Sequence, residues 1–200
     1  MGRGLPCLAG KAVRLRVAIG AQTYDGVGPM GDASIHSIRI AGPADSDAVS
    51  ALLAASYSRL LAARYDRDLL GRALPFMTSA NPILLASGSY YIAEREPGHL
   101  VGCGGWTTAR PGSGEVIEAE AHIRHFATHP EWVGRGIGTS LLARCLRDAG
   151  QRGIRQLHCF STWNAERFYQ TSGFKTIGPI DVPMGPSLTF PGVLMNRALA

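Results

Sequence analysis

The sequence predicts an α+β domain, and three observations carry the prediction. Two runs of strand character, residues 90–94 and 100–106, are joined by a tight turn through Pro97-Gly98. A glycine-rich junction at Gly134, Gly136 and Gly138 leads out of a strand into an amphipathic helix. A second strand, 154–161, follows that helix. The length of 200 residues and a hydrophobic content of 46% suit a single core.

Residues 1–33 carry four basic residues and no acid before Asp25, several glycines and no sustained period, and they read as a disordered extension before a domain at 34–200. Their basic, acid-poor character loosely resembles a transit peptide, and an upstream start or added segment explains it equally well. Ile38-Arg39-Ile40 is a short strand, and Pro43, Asp45 and Ser46 supply helix-start chemistry. Val49, Leu52, Leu53, Tyr57, Leu60 and Leu61 then mark one helical face. A further helix from about Arg64 to Leu74 is expected to stop near Pro75. After the hairpin and a loop at 109–115 comes a central strand, about 117–128. In the helix after the glycines, Ile137, Leu141, Leu142, Cys145 and Leu146 share a face, with Gly150 and Gly153 as stops. A short helix opens near Asn164 and closes at Gly173-Phe174. The tail adds one strand after Phe174 and another at Val193 to Leu199, separated by a proline-rich connection.

Composition narrows the function. No apolar run is long enough for a membrane span. A net charge of +5 and a pI near 9.3 favour anionic ligands. The basic residues are dispersed rather than interleaved with aromatics, which argues against a specific nucleic-acid surface. Cys7, Cys103, Cys145 and Cys159 form no C-x-x-C pair, so a reducing cytoplasm is the simplest home. His122 and His125 have opposite strand parity, so with His129 they do not read as a zinc site, and no metal is expected.

The segment Thr128-His129-Pro130-Glu131-Trp132-Val133-Gly134-Arg135-Gly136-Ile137-Gly138-Thr139 holds most of the chemistry. First-turn helix amides lack intrahelical partners, and the macrodipole adds about 0.3–1 kcal/mol for an anion placed there. Such a junction can hold a pyrophosphate. A P-loop would need lysine after its last glycine, where Thr139 stands. A dinucleotide fingerprint would need a third glycine where Leu141 stands, and an acid about 20 positions on, which strand 154–161 lacks.

Together with Asn164-Ala165-x-x-Phe168-Tyr169-x-x-x-Gly173-Phe174, the loop resembles the GNAT superfamily of acyl-CoA-dependent N-acyltransferases over roughly residues 37–198. Its loop signature is Q/R-x-x-G-x-G/A. Gly136 and Gly138 match the small positions, and Val133 departs from the Gln/Arg position. The resemblance implies a mixed, mainly antiparallel central sheet flanked by helices and splayed at its centre. It implies acetyl-CoA as cosubstrate, a primary amine of a small molecule or peptide as acceptor, and often a homodimer. The coenzyme pyrophosphate would rest on Val133, Gly134, Arg135, Gly136, Ile137, Gly138 and Thr139. Asn164 would cap the short helix, contact the pantetheine, or both. A strand bulge would offer main-chain contacts from Phe126, Ala127 and Thr128, and the first two helices would shape the acceptor site. A non-catalytic acyl-CoA-binding module is the contrasting reading.

Acyl transfer needs a proton acceptor for the amine and a donor for the leaving thiolate. By motif position the donor is Tyr169, whose competing role is core packing. In an extended segment Glu118, Glu120 and His122 share one face. His122 falls where histone-acetylating members of the superfamily place a glutamate base, and its ordinary pKa of about 6.5 suits the task. Glu120, or a water chain from Glu118, is the alternative. Trp106, Trp132 and Trp163 read as packing or substrate contacts. Arg110 and Arg124 read as solvated charges or as a lure for an anionic substrate group.

Overall fold

The computed structural model describes residues 36–185 and 187–199. The expected extension at 1–33 lies outside the described residues. The strands are β1 (Ser37–Ile40), β2 (Tyr90–Glu94), β3 (Leu100–Thr107), β4 (Glu120–Thr128), β5 (Gln156–Ser161), β6 (Lys175–Pro183) and β7 (Thr189–Ala198). The helices are α1 (Ser46–Leu60), α2 (Arg67–Met77), α3 (Pro82–Ala86), α4 (Ile137–Gln151) and α5 (Glu166–Thr171). The described residues form one seven-stranded sheet in the order β1-β2-β3-β4-β5-β7-β6. The β4–β5 pair is parallel and every other pair antiparallel.

Strand parity divides the core. Tyr91, Ala93, Val101, Ala121 and Leu157 pack on the α4 side with Ile137, Leu141, Leu142 and Cys145. Tyr90, Ile92 and Cys103 face the other way, onto Val49, Leu52 and Leu53 of α1 and Leu84 of α3. Each such buried leucine contributes about 1.5–3 kcal/mol of transfer free energy, so α4 is held chiefly by its apolar stripe. Gly102 allows the close approach, since a Cβ there would lie 2.6 Å from Ile137 Cγ2. A third cluster seats Leu61, Tyr65, Leu70 and Ala73 against Phe190 of β7.

One irregularity positions the site. β4 and β5 pair only from Glu120–Gln156 to His122–His158. Beyond that, β4 stays with β3 and β5 stays with β7, so the sheet splays between them.

The structure moves several boundaries. The central strand begins at Glu120, not near 117, because Ala119 has φ 59° and turns the chain. α2 runs through Pro75 to Met77, and the missing N–H of Pro75 forfeits one hydrogen bond of its last turns. α3 went unread, although Asn81 accepts hydrogen bonds from the amides of Ile83 and Leu84 ahead of Pro82. The proline-rich connection is largely strand. Pro179 and Pro183 lie on β6, an edge where a missing N–H is tolerated, and Pro191 precedes the stretch of β7 that pairs with β5.

Candidate active site

A bulge in β4 is the centre of the site. Cys103 to Gly105 of β3 spans Ala127 to Arg124 of β4, so β4 carries one extra residue, and His125 sits at φ 43°. Side chains from β2, β3 and α1 fix it. The Tyr90 hydroxyl donates to the His125 carbonyl at 2.9 Å, and Cys103 Sγ donates to the same oxygen at 3.7 Å. The Tyr57 hydroxyl donates to the Phe126 carbonyl at 3.3 Å. Opposite the bulge stands Gly104, where a Cβ would lie 2.2 Å from the Phe126 ring. Only glycine leaves room for that ring.

Downstream, His129 ends β4. Its amide donates to the Val101 carbonyl at 2.9 Å, and its Nδ1 accepts from the Glu131 amide at 3.4 Å across the 3₁₀ turn Pro130–Trp132. The chain then enters α4 through Gly134 at φ 80° and Gly136 at φ 78°, a left-handed geometry that glycine adopts without strain. The first intrahelical bond runs from the Ser140 amide to the Gly136 carbonyl. The amides of Ile137, Gly138 and Thr139 therefore lie ahead of the hydrogen-bonded ladder.

These features border two cavities. The larger, about 540 Å³, is lined by Val133, Gly134, Gly136, Ile137, Gly138 and Thr139 of the loop, by Phe126, Ala127 and Thr128 of β4, and by Asn164. The smaller, about 270 Å³, lies in the splay and is bordered by α1, α2, β4, β5 and β7. Tyr57, Phe126, Thr162, Ala165 and Tyr169 line both, so they form the wall between the two.

Residues 86–176 match the acetyltransferase (GNAT) domain family. Those residues carry a GNAT acetyltransferase domain. No curated protein matches the sequence. Among solved structures, a GCN5-related N-acetyltransferase from Rhodopseudomonas palustris is 23% identical, with a TM-score of 0.64 over 82% of this chain and 95% of that one. The PaiA N-acetyltransferase from Thermoplasma acidophilum, in complex with coenzyme A, is 16% identical, with a TM-score of 0.60 over 82% and 98%. N-acetylglutamate synthase from Neisseria gonorrhoeae, complexed with coenzyme A and N-acetyl-glutamate, is 22% identical, with a TM-score of 0.52 over 82% of this chain and 35% of that one.

Within this GNAT domain Tyr169 is 4% exposed and packs edge-on against Phe126, Phe168 and Phe174. Burial pushes its pKa well above that of an ordinary tyrosine, so the hydroxyl stays protonated. It is both a packing residue and part of the shared wall. Asn164 does not cap α5, whose N-cap is Ala165, and its exposed side chain is left on the cavity rim. Arg135 is absent from the lining of the larger cavity. Its guanidinium lies over Trp132, 4.6 Å from the ring centroid, with Arg95 at 5.3 Å.

The expected base positions separate. Glu118 is exposed and precedes the strand, so the shared face anticipated for Glu118, Glu120 and His122 is broken at Ala119. Glu120 Oε2 is 3.0 Å from His158 Nε2, and His122 stacks on the His158 ring at 5.2 Å. Neither Glu120 nor His122 lines either cavity. His125, named in the sequence only within a discounted zinc site, does line the smaller one, because strand alternation ends at the bulge. Burial first, and then the charge of Arg124, pushes His125 down to about 4. His122 is likewise pushed down to about 4, by burial and then by His158.

The remaining aromatics divide by role in the GNAT domain. Trp106 is core, with Nε1 donating to Asp148 Oδ2 at 3.2 Å. Trp163 stacks on Tyr65 at 4.6 Å. Trp132 alone among the three borders the larger cavity. Cys103, Cys145 and Cys159 are buried, and burial raises each thiol pKa to about 12 or beyond, so none is a nucleophile. Among the described residues no group of three or more His, Cys, Asp or Glu side chains is placed to hold a metal ion. Among them, too, no helix is long and apolar enough to cross a membrane. Sequence reading missed Phe76, Phe160 and Phe190 as cavity residues, since each reads as ordinary core.

Proposed function

We propose that the chain transfers an acetyl group directly from acetyl-CoA to a primary amine of a small molecule or peptide. The observation that carries this reading is the pair of cavities meeting at one wall, with an anion-binding helix start on one side and a histidine on the other. The solved relatives that hold coenzyme A support it.

The larger cavity fits the coenzyme. Positions where a Cβ would stand on Gly134 and Gly136 are open, so phosphate oxygens can approach the bare loop. The amides of Ile137, Gly138 and Thr139 and the helix dipole favour the charge, while Phe126, Ala127 and Thr128 border the arm that follows. When bound, acetyl-CoA supplies an activated acyl group. Tyr169 holds a proton at its hydroxyl on the shared wall and is the general acid. The neutral amine attacks the acyl carbon, and His125, neutral at pH 7 beside that cavity, receives the proton that the nitrogen releases once the new bond has made it acidic. It replaces His122 and Glu120 in this role because it borders the acceptor cavity and they do not.

Calorimetric titration with acetyl-CoA and free CoA tests the first half. Saturable binding lost in Gly136→Glu supports the coenzyme site, and absence of binding by folded protein rejects it. Thiol release with a panel of amines tests the second half. Binding without turnover would favour a non-catalytic acyl-CoA-binding module.

A further inference from the structure

The smaller cavity has a chemistry of its own. Phe76, Met77, Phe160, Met184 and Phe190 make most of it apolar. Among the described residues no aspartate or glutamate lines it, and Arg124 is the sole lining side chain that carries a fixed charge. A cavity built for a polyamine, an aminoglycoside or a lysine within a basic peptide needs carboxylates to replace water around the extra ammonium groups. Those acceptors are poorly served here.

Arg124 itself is incompletely used. Nη1 donates to Thr107 Oγ1 at 3.1 Å, a neutral partner. Among the described residues no carboxylate lies within ion-pairing distance of it. The guanidinium is held half-buried beside the bulge, next to His125. Arginine stays charged under all ordinary conditions, so burial without an anion is unfavourable in the empty cavity and is relieved when a ligand brings one. The planar fork can bind a carboxylate through two parallel hydrogen bonds.

We infer that the acceptor is a small amino acid with an apolar or aromatic side chain, its carboxylate paired with Arg124 and its side chain among Phe76, Phe160 and Phe190. This rests on the acyl-transfer reading and names the substrate class of that site. A volume of about 270 Å³ limits the acceptor to one small molecule, just below the roughly 300–1,000 Å³ of typical ligand pockets. The lack of a second cation in the lining disfavours acidic side chains.

Full-length protein is assayed for thiol release from acetyl-CoA with phenylalanine, methionine and leucine. Their carboxamides, phenethylamine, glutamate and spermidine run in parallel. The expected result is a kcat/KM for the free amino acids at least about tenfold above that for the amides, phenethylamine, glutamate and spermidine. In Arg124→Gln the acid-to-amide ratio falls toward one, and Arg124→Lys restores part of it. Coenzyme titration of each variant verifies its fold. An unchanged ratio in Arg124→Gln, or a wild-type preference for amides or spermidine, overturns the inference. If acetyl-CoA binds and no amine turns over, calorimetry with phenylalanine against phenylalaninamide in the presence of CoA decides. Equal or absent binding of the two overturns the acceptor assignment and leaves the coenzyme site standing. Failure of acetyl-CoA itself to bind rejects the acyl-transfer reading. In that case carboxylate-dependent, Arg124-dependent binding of phenylalanine would mark the cavity as an amino-acid site, and its absence would overturn that as well.

Discussion

The two cavities meet at one wall but are built on different principles. The larger cavity, proposed for the coenzyme, comes mainly from two short stretches, 126–139 and 162–169, together with the end of α1, and its main determinants are backbone: left-handed glycines, unladdered amides and a helix start. The smaller cavity, proposed for the acceptor, is assembled from side chains that include Tyr57, Phe76, Arg124, Phe160 and Phe190, which lie on five different elements. Backbone chemistry tolerates few substitutions, whereas a side-chain wall can be retuned one residue at a time.

The largest test of that contrast is Gly136→Glu. It forces a carboxylate and a strained φ onto the anion site, so coenzyme affinity should fall at least about 100-fold by calorimetry. Circular dichroism should remain near wild type, because a Cβ at Gly136 meets no neighbour within 4 Å. Retained affinity would mean that the loop does not hold the coenzyme.

Next in size is Tyr169→Phe. The ring contacts with Phe126, Phe168 and Phe174 persist and one proton donor is lost, so kcat should drop about 100-fold while the coenzyme dissociation constant moves less than about threefold. Equal losses in both would reassign Tyr169 to packing.

The base assignment can be broken by pairing His125→Asn with His122→Asn. The first should lower kcat/KM by about 10–100-fold, and the second by less than about threefold, because only His125 borders the acceptor cavity. The reverse order would return the role to His122. With His125 pushed down to about 4, kcat/KM should show no histidine inflection near pH 6.5 and should rise with deprotonation of the acceptor amine.

Both buried rings also set the acid limit of stability. In the unfolded chain each protonates near 6.5, and in the folded protein near 4. Between those values the unfolded state binds more protons. The stabilisation is therefore complete above about pH 6.5, declines as pH falls, and is gone below about 4, a loss on the order of 1–3 kcal/mol per ring. Urea titrations at pH 7.5 and 4.5 on wild type and His122→Asn should show the variant losing less stability on acidification. Parallel losses would place His122 in contact with solvent.

This asymmetry explains what could be read from the sequence. Gly134, Gly136 and Gly138 before an apolar helical stripe announce the coenzyme loop, because backbone geometry leaves a compositional trace. The hairpin, α4 and β5 were legible for the same reason of period. The stacking of the Arg135 guanidinium over Trp132 is a partner that spacing does not reveal. The place of His125 on a cavity was not legible, because parity assumes a regular strand, while the bulge depends on Gly104, Tyr57 and Tyr90, which lie 21 to 68 residues away in sequence. The wall of the smaller cavity left no local signal, since Phe160 and Phe190 sit on ordinary strands and Phe76, 57% exposed, follows the Pro75 at which the helix was expected to stop.

The smallest effect expected is the most diagnostic of the shared wall. Tyr57→Phe removes one hydrogen bond, from the hydroxyl to the Phe126 carbonyl at 3.3 Å, and keeps the ring that lines both cavities. Stability should fall by about 0.5–1.5 kcal/mol in chemical denaturation, the ordinary worth of such a bond. If Tyr57 holds the bulge in register for both cavities, the coenzyme dissociation constant and the acceptor KM should rise together, each by about two- to fivefold. A change confined to the acceptor KM would show instead that Tyr57 belongs to the acceptor side, and that Tyr90 and Gly104 suffice to fix the bulge.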